Sequence, residues 1–206
     1  MGSLAAFRGW RGAAQTVDHL RATGPVWGEA HLSPRRSVAA TCMALGAVAA
    51  FLAARQWGEV AMVASLVLIA VSTRIALVDI DTHVIPGGAM VLGWFAGLPL
   101  LALATAAGDG TVRGMALGAG VSWVLLAFVH LVSRGDMGAG DVALGAMLGA
   151  HAGWVSWETS LLALFWALVI GGAVGAGLLA TRRVSRRTFV PFGPFLVAGA
   201  WIAVLR

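Results

Sequence analysis

The chain has 206 residues, a net charge of +5 and a mean hydropathy of +0.87, and only 11% of its residues are charged. Soluble domains carry about 25% charged residues, so this composition excludes a soluble domain and indicates membrane spans. All 14 basic residues are arginine and lie mainly between apolar segments, which favours membrane orientation over nucleic-acid binding. The one cysteine, Cys42, lies inside an apolar segment and excludes an intrachain disulfide and a cysteine-rich zinc site.

Residues 1–36 form an N-terminal extension ahead of a membrane domain at 37–206. The extension carries five arginines and lacks the apolar core of a signal peptide. Its apolar residues recur at helical spacing and would form one stripe along a helix: Phe7, Trp10, Ala14, Val17 and Leu20. Three arginines lie outside this stripe: Arg8, Arg11 and Arg21. The pattern predicts a short amphipathic helix on the membrane surface or, alternatively, an unstructured tail.

Seven apolar segments follow, and each predicts a helix that crosses the membrane. They lie at 37–54, 58–79, 86–107, 112–132, 139–156, 159–180 and 189–205. The fifth segment is short and rich in glycine. The sequence therefore predicts an all-α, polytopic membrane helix bundle of about seven transmembrane helices.

The arginines also set the orientation of the bundle. A cytosolic N-terminus places eleven arginines on the cytosolic side and three, Arg55, Arg113 and Arg206, on the other side. The positive-inside rule therefore predicts a cytosolic N-terminus, and the arginine cluster at 182–187 is expected to contact anionic membrane lipid. In this topology the loop after the second span and the loop before the fifth span lie on the same, cytosolic side.

Glycines recur every four residues in three of the segments. They are Gly93 and Gly97, then Gly145, Gly149 and Gly153, then Gly171 and Gly175. This spacing predicts close helix–helix packing in the membrane. Asp141 precedes Gly145 by four residues, so a helical fifth segment would turn Asp141 toward the bundle and away from lipid.

Two aspartates and a histidine lie at the end of the second segment, where residues 76–86 read ALVDIDTHVIP. Pro86 disfavours helical geometry in the residue before it, so a helix break is expected there. Asp79 lies at the edge of a span, where an ionisable side chain is costly and points to function. Asp81 lies on the opposite face of the helix and is either a second site residue or a solvated carboxylate. His83 either hydrogen-bonds to Asp79 or lies at the interface.

A glycine-rich stretch opens the fifth segment. Residues 134–144 read RGDMGAGDVAL, with Gly138 and Gly140 just ahead of Asp141. Glycines at these positions let a peptide backbone approach the carboxylate, and a helix N-terminus stabilises its ionised form. His130, near the end of the fourth segment, is predicted to lie at the membrane interface.

Asp79 and Asp141 together form a pair that can hydrolyse peptide bonds. Like charges held close together cannot both ionise, so the pair shares one proton, and its apparent pKa values belong to the pair. The ionised member takes a proton from water while the protonated member polarises the scissile carbonyl. The sequence contains neither the nucleophile elbow Gly-x-Ser-x-Gly nor the zinc motif His-Glu-x-x-His, so no metal and no cofactor are expected.

Three motifs resemble those of the type IV prepilin peptidases. The stretches VDIDTHVIP, RGDMGAGDVALGAMLG and FVPFGPFLVAGA have the order and spacing of that family's two aspartate motifs and its C-terminal signature, over about residues 40–205. The resemblance implies an aspartic endopeptidase with Asp79 and Asp141 as its catalytic residues. Four more residues are expected to bind substrate or shape the site: Gly138, Gly140, Asp81 and Pro86.

The resemblance also implies a substrate and a location. The substrate would be a prepilin-like protein with a short basic leader ahead of an apolar helix, cut just after a glycine at the cytosolic face of the bacterial inner membrane. The chain departs from the family at Ala143, where a lysine is usual, and in lacking the paired CxxC motifs linked to N-methylation. We therefore expect a peptidase without N-methyltransferase activity.

Three other functions stay open at this point. Presenilin-like intramembrane proteases share the Gly-x-Gly-Asp motif but carry a Tyr-Asp pair and a Pro-Ala-Leu motif, and this chain has no tyrosine. A transporter or proton-coupled channel would use carboxylates as proton relays, but near the middle of the bilayer and not at span ends. A non-catalytic assembly partner of a pilus or secretion system is the third alternative.

Overall fold

The computed structural model describes residues 58–133, 137–181 and 191–206. These ranges are helical and contain no β-strand. The helices are α1 (Glu59–Thr82), α2 (Gly87–Ala106), α3 (Val112–Val132), α4 (Ala139–Val155), α5 (Trp157–Ala180) and α6 (Gly193–Val204). The predicted all-α class is confirmed.

Six of the seven predicted apolar segments coincide with these helices, and no bound differs by more than four residues. The first segment, 37–54, lies outside the described residues, as do the extension 1–36 and the arginine cluster 182–187. Four helices, α1, α2, α3 and α5, are long and apolar enough to cross a membrane. With 17 and 12 residues, α4 and α6 are shorter than the roughly 20 that a span needs.

The helix break predicted at Pro86 separates α1 from α2. Helix α1 ends at Thr82, and His83 adopts a left-handed conformation (φ 55°) while its N–H donates to the Asp79 carbonyl oxygen at 2.9 Å. Pro86 then precedes α2 in an extended conformation, which suits a residue that has no N–H to offer a helix. The chain therefore leaves α1 within one turn of Asp79.

Helix α2 is interrupted by a π-helical turn at Gly93–Gly97. The two glycines that bound this turn face neighbouring helices. A Cβ on Gly97 would lie 2.6 Å from Leu68 Cδ2 of α1, and a Cβ on Gly93 would overlap the Met147 sulfur of α4. The close packing predicted for this pair is confirmed, because only a residue without a side chain fits at either position.

The most extensive helix contact joins α3 and α4. A Cβ on Gly118 would overlap the Gly149 carbonyl oxygen, and a Cβ on Gly153 would lie 2.9 Å from Gly118 Cα. Ser160 of α5 also donates to the Gly149 carbonyl oxygen, at 2.9 Å. The predicted packing role is thus confirmed for Gly149 and Gly153. For Gly175 it stays a prediction, because a Cβ there would meet no atom of the described residues within 4 Å.

Trp154 anchors the C-terminal end of α4. Its ring is fully buried, its Nε1 donates to Thr105 Oγ1 at 3.2 Å, and its carbonyl oxygen accepts from Thr111 N–H at 3.0 Å. Both partners belong to the end of α2 and the loop before α3. This anchor fixes α4 at the end opposite Asp141, so the N-terminal turn of α4 is held in a defined position.

The core lies around α4, most of whose residues are buried. Large apolar side chains are exposed instead on the outer helices; among them are Phe95, Leu103, Phe128, Leu131 and Leu168. Apolar outer faces of this kind are typical of helices that contact lipid. Helix α4, in contrast, is covered by its neighbours.

Candidate active site

Asp79 lies in the last turn of α1 and is only 4% exposed. Its Oδ2 accepts a hydrogen bond of 3.1 Å from the Gly193 N–H, the first residue of α6. The first N–H groups of a helix have no partner within that helix, and Phe192, which precedes α6, offers no side-chain cap. The Asp79 carboxylate therefore takes the place of a capping side chain for α6.

Only glycine at position 193 permits this contact. A Cβ there would lie 2.6 Å from Asp79 Oδ2 and 3.2 Å from its Cγ. Pro194 follows in the first turn of α6, where the absence of an N–H is no loss. The local sequence Phe-Gly-Pro therefore both starts the helix and leaves room for the carboxylate.

Asp141 lies in the first turn of α4 and is 6% exposed. Its backbone N–H donates to the Gly138 carbonyl oxygen at 3.1 Å. Its Oδ1 is buried and finds no hydrogen-bond partner in the described part of the chain. Leaving a buried polar atom unpaired costs about 1–3 kcal/mol, so a functional reason is expected for it.

Asp79 and Asp141 come together at one end of the bundle, near enough for the charge of Asp79 to act on Asp141. The loop after α1 makes the contact, since a Cβ on Gly140 would lie 3.2 Å from Ile85 Cβ. The two helices that carry the carboxyls are thereby tied to each other next to the pair. Two carboxyls that lie a few ångström apart can share a proton and act as base and acid.

A profile of the type IV leader peptidase family matches residues 66–176, more than half of the chain. The chain belongs to this family. The motif resemblance to prepilin peptidases is thus confirmed.

Curated relatives named prepilin leader peptidase/N-methyltransferase agree with this family assignment. The chain is 33% identical to the protein of Aeromonas hydrophila, over 86% of this chain and 60% of the relative. It is 33% identical to that of Pseudomonas putida, over 72% and 52%, and 32% identical to that of Bacillus subtilis (strain 168), over 68% and 54%. The chain thus spans between half and about three fifths of these relatives. No solved structure matches it significantly.

The sequence predicted four further site residues, and each has a different position relative to Asp79 and Asp141. Gly138 precedes α4, where a Cβ would lie 3.3 Å from Asp141 Oδ2. Gly140 packs against Ile85 of the loop after α1. Pro86 precedes α2. Asp81 belongs to the last turn of α1, and its side chain lies outside the described part of the structure.

Gly193 and His130 contact the segments that carry the two carboxyls, although the sequence predicted no site role for either residue. The motif that contains Gly193 was recognised as a signature only, because its partner Asp79 is 114 residues away and no local spacing reveals such a contact. His130 was predicted at the membrane interface, but its Nδ1 lies 2.6 Å from the Met137 carbonyl oxygen. This hydrogen bond tethers the segment that leads into α4.

Metal ligands are a separate question for this site. Across residues 58–133, 137–181 and 191–206, no three His, Cys, Asp or Glu side chains are grouped as they would be around a metal ion.

Proposed function

We propose that this chain is an aspartic endopeptidase that cleaves the basic leader peptide from type IV pilin-like precursors. The proposal is carried by one observation: Asp79 and Asp141, two buried carboxyls from α1 and α4, lie together at one end of the bundle. The relatives named prepilin leader peptidase/N-methyltransferase support the substrate class.

The proposed chemistry uses the two carboxyls and one water. One carboxylate takes a proton from the water as the water oxygen attacks the scissile carbonyl carbon, and the other, protonated, carboxyl polarises that carbonyl. No covalent enzyme intermediate is formed. Four neighbouring residues shape the approach to the pair: Gly138, Gly140, Asp81 and Pro86.

The site is proposed to face the cytosol from a bacterial inner membrane. The excess of arginine on the N-terminal side of the membrane supports this orientation. The four candidate spans within the described residues support a multi-pass protein. A cytosolic site suits a substrate whose basic leader stays on the positive-inside side of the membrane.

The proposed activity is peptidase alone, without N-methylation. The chain carries one cysteine, whereas paired CxxC motifs accompany methylation in the bifunctional proteins that it resembles. Mass spectrometry of the mature pilin N-terminus, after co-expression with this chain as the only prepilin peptidase, is expected to show an unmethylated product. A methylated product would overturn this part of the proposal.

The peptidase is tested by co-expressing the chain with a prepilin from the same genome in a host that lacks its own prepilin peptidase. Asp79→Asn and Asp141→Asn are each expected to lower cleavage by about 10³-fold or more. Asp109→Asn is the matched control: Asp109 lies in the loop before α3, and its Oδ2 accepts from the Gly58 N–H at 2.8 Å, a contact that an amide oxygen preserves. All variants must insert into the membrane at equal levels.

Other outcomes of this experiment would point elsewhere. Cleavage that survives in Asp79→Asn would implicate Asp81 as the partner of Asp141. A correctly inserted wild-type chain that cleaves no cognate prepilin would contradict the proposal and favour a transporter or a non-catalytic assembly partner.

A further inference from the structure

The two carboxyls of the candidate site are held in different ways. Asp79 accepts the Gly193 N–H through Oδ2. In the pair, only Asp141 Oδ1 is both sealed from solvent and left without a hydrogen-bond partner among the described residues. Each carboxyl lies near a helix N-terminus, α6 for Asp79 and α4 for Asp141. Asp79 also lies in the last turn of α1, whose dipole opposes a negative charge there, so the assignment of the shared proton depends on the hydrogen bonds and not on the helix dipoles.

This difference decides where a shared proton is more stable. An ionised oxygen away from water needs a hydrogen-bond donor, and Asp79 has one in Gly193. The Asp141 carboxyl has a backbone hydrogen bond at Gly138, but its Oδ1 is sealed from solvent and has no donor among the described residues. A protonated carboxyl instead carries an O–H that can donate when a substrate carbonyl arrives.

The neighbouring charges agree with this division. Among the described residues, two titratable groups act on the pair: His83 acts on Asp79, and Asp79 acts on Asp141. A positive charge on His83 favours the ionised form of Asp79, whereas Asp141 faces the negative charge of Asp79.

We propose that Asp79 is the ionised base of the pair, that Asp141 holds the shared proton, and that Gly193 is the positioning residue that fixes this division. The proposal rests on the peptidase function proposed above. Gly193 acts through Asp79: its N–H donates to Oδ2. A Cβ at position 193 would lie only 2.6 Å from that oxygen, so the contact requires glycine.

With these roles, every proton is accounted for over one catalytic cycle. Asp79 removes a proton from water while the water oxygen bonds to the scissile carbon, and Asp141 gives its proton to the carbonyl oxygen, which forms a geminal diol. Asp79 then passes its proton to the leaving nitrogen as the C–N bond breaks. One diol hydroxyl returns its proton to Asp141 as the new carboxyl group forms, so both residues regain their starting states.

Infrared spectroscopy tests where the proton resides, without substrate. The carbonyl stretch of a protonated carboxyl is separate from the bands of a carboxylate, so it can be followed against pH in purified wild type, Asp79→Asn and Asp141→Asn. Each substitution removes the neighbouring negative charge, so the band should persist to the highest pH in the wild type. Of the two variants, Asp79→Asn should keep the band to a higher pH than Asp141→Asn, because only Asp79 has the Gly193 N–H to stabilise its ionised form. Any other pattern overturns the assignment. Because no cleavage is measured, this result is independent of whether the chain processes a pilin precursor.

The role of Gly193 is tested by the pH dependence of kcat/KM in Gly193→Ala. Loss of the N–H contact is expected to move the acidic limb of the profile to higher pH by about one unit. Two variants are the controls: Gly172→Ala, where a Cβ meets no described residue within 4 Å, and Gly114→Ala, where a Cβ would overlap the Gly153 carbonyl oxygen far from the site. Both should keep the wild-type limb even where stability falls. If the acidic limb of Gly193→Ala superimposes on that of the wild type, Gly193 is a packing residue and its positioning role is overturned. If the variant does not insert into the membrane, the infrared bands still decide which carboxyl holds the proton.

Discussion

Ile85 packs directly on Gly140, where a Cβ would lie 3.2 Å from both Cβ and Cδ1 of Ile85. Ile85 belongs to the loop that follows Asp79, and Gly140 immediately precedes Asp141. This contact therefore joins the two chain segments that carry the carboxyls. The relative position of the pair depends on the absence of a side chain at position 140.

Gly140→Ala is expected to lower the rate of leader cleavage by about tenfold, because the added methyl displaces Ile85 by a few tenths of an ångström and misaligns the pair. Ile85→Ala in the same chain should recover part of the loss, since it removes two of the three atoms that crowd position 140. Initial cleavage rates of the single and double variants measure this coupling. Gly87→Ala is the control, because Gly87 is nearby and a Cβ there would meet no atom of residues 58–133, 137–181 or 191–206 within 4 Å. Independent effects of the two substitutions would contradict the coupling.

Two glycines on α3 provide a matched test of helix packing. Gly118→Ala forces a methyl into the backbone of α4 and is expected to lower the free energy of unfolding by about 2 kcal/mol or more. Gly120→Ala places the same methyl where no atom of the described part of the chain lies within 4 Å. It should be neutral or stabilising by up to about 1 kcal/mol, because alanine favours a helix. Thermal unfolding in detergent compares the two, and equal shifts would show that the α3–α4 contact is not the cause.

The positions of the helices were predictable because a membrane span appears in the sequence as an unbroken apolar segment, and Pro86 marked the break between α1 and α2. The internal location of α4 was not predictable. A helix covered by protein and a helix covered by lipid are both apolar, so composition does not separate them. The burial of α4 depends instead on which glycines meet across helices, such as Gly118 and Gly149.

The candidate aspartates were identified from the sequence because ionisable residues at the edge of a span are rare and costly. Their supports were not identified. The Gly193–Asp79 hydrogen bond and the Ile85–Gly140 contact join residues from different motifs. Each of these contacts is set by tertiary packing, which leaves no periodic pattern in the chain.

The tether between His130 and Met137 gives a prediction on the entry to α4. His130→Ala removes the group 2.6 Å from the Met137 carbonyl oxygen and is expected to cost about 1 kcal/mol of stability. It should also lower leader cleavage, because the segment before Asp141 loses its anchor. Ser133→Ala is the control, since Ser133 Oγ only donates locally to the His130 carbonyl oxygen at 3.1 Å. Equal cleavage by the two variants would show that the tether does not support the site.

Substitution of His151 by leucine is expected to raise stability, whereas substitution of His130 by alanine is expected to lower it. His151 is fully buried in α4, neither ring nitrogen has a hydrogen-bond partner within the described ranges, and its ring packs on Trp201 with 4.9 Å between ring centroids. Burying unpaired nitrogens costs about 1–3 kcal/mol, whereas the aromatic contact contributes about 0.5–1.5 kcal/mol. His151→Leu is therefore expected to raise the free energy of unfolding by about 1 kcal/mol.

His151→Gln is the control for that substitution, because it keeps a buried polar group and loses the ring, and it should lower stability. Cleavage should be unchanged in His151→Leu, since ten helical residues place position 151 about 15 Å along α4 from Asp141. Thermal unfolding of both variants and the wild type, at one pH and in one detergent, makes the comparison. A fall in stability for His151→Leu as large as that for His151→Gln would show that the ring nitrogens are hydrogen-bonded in the folded protein.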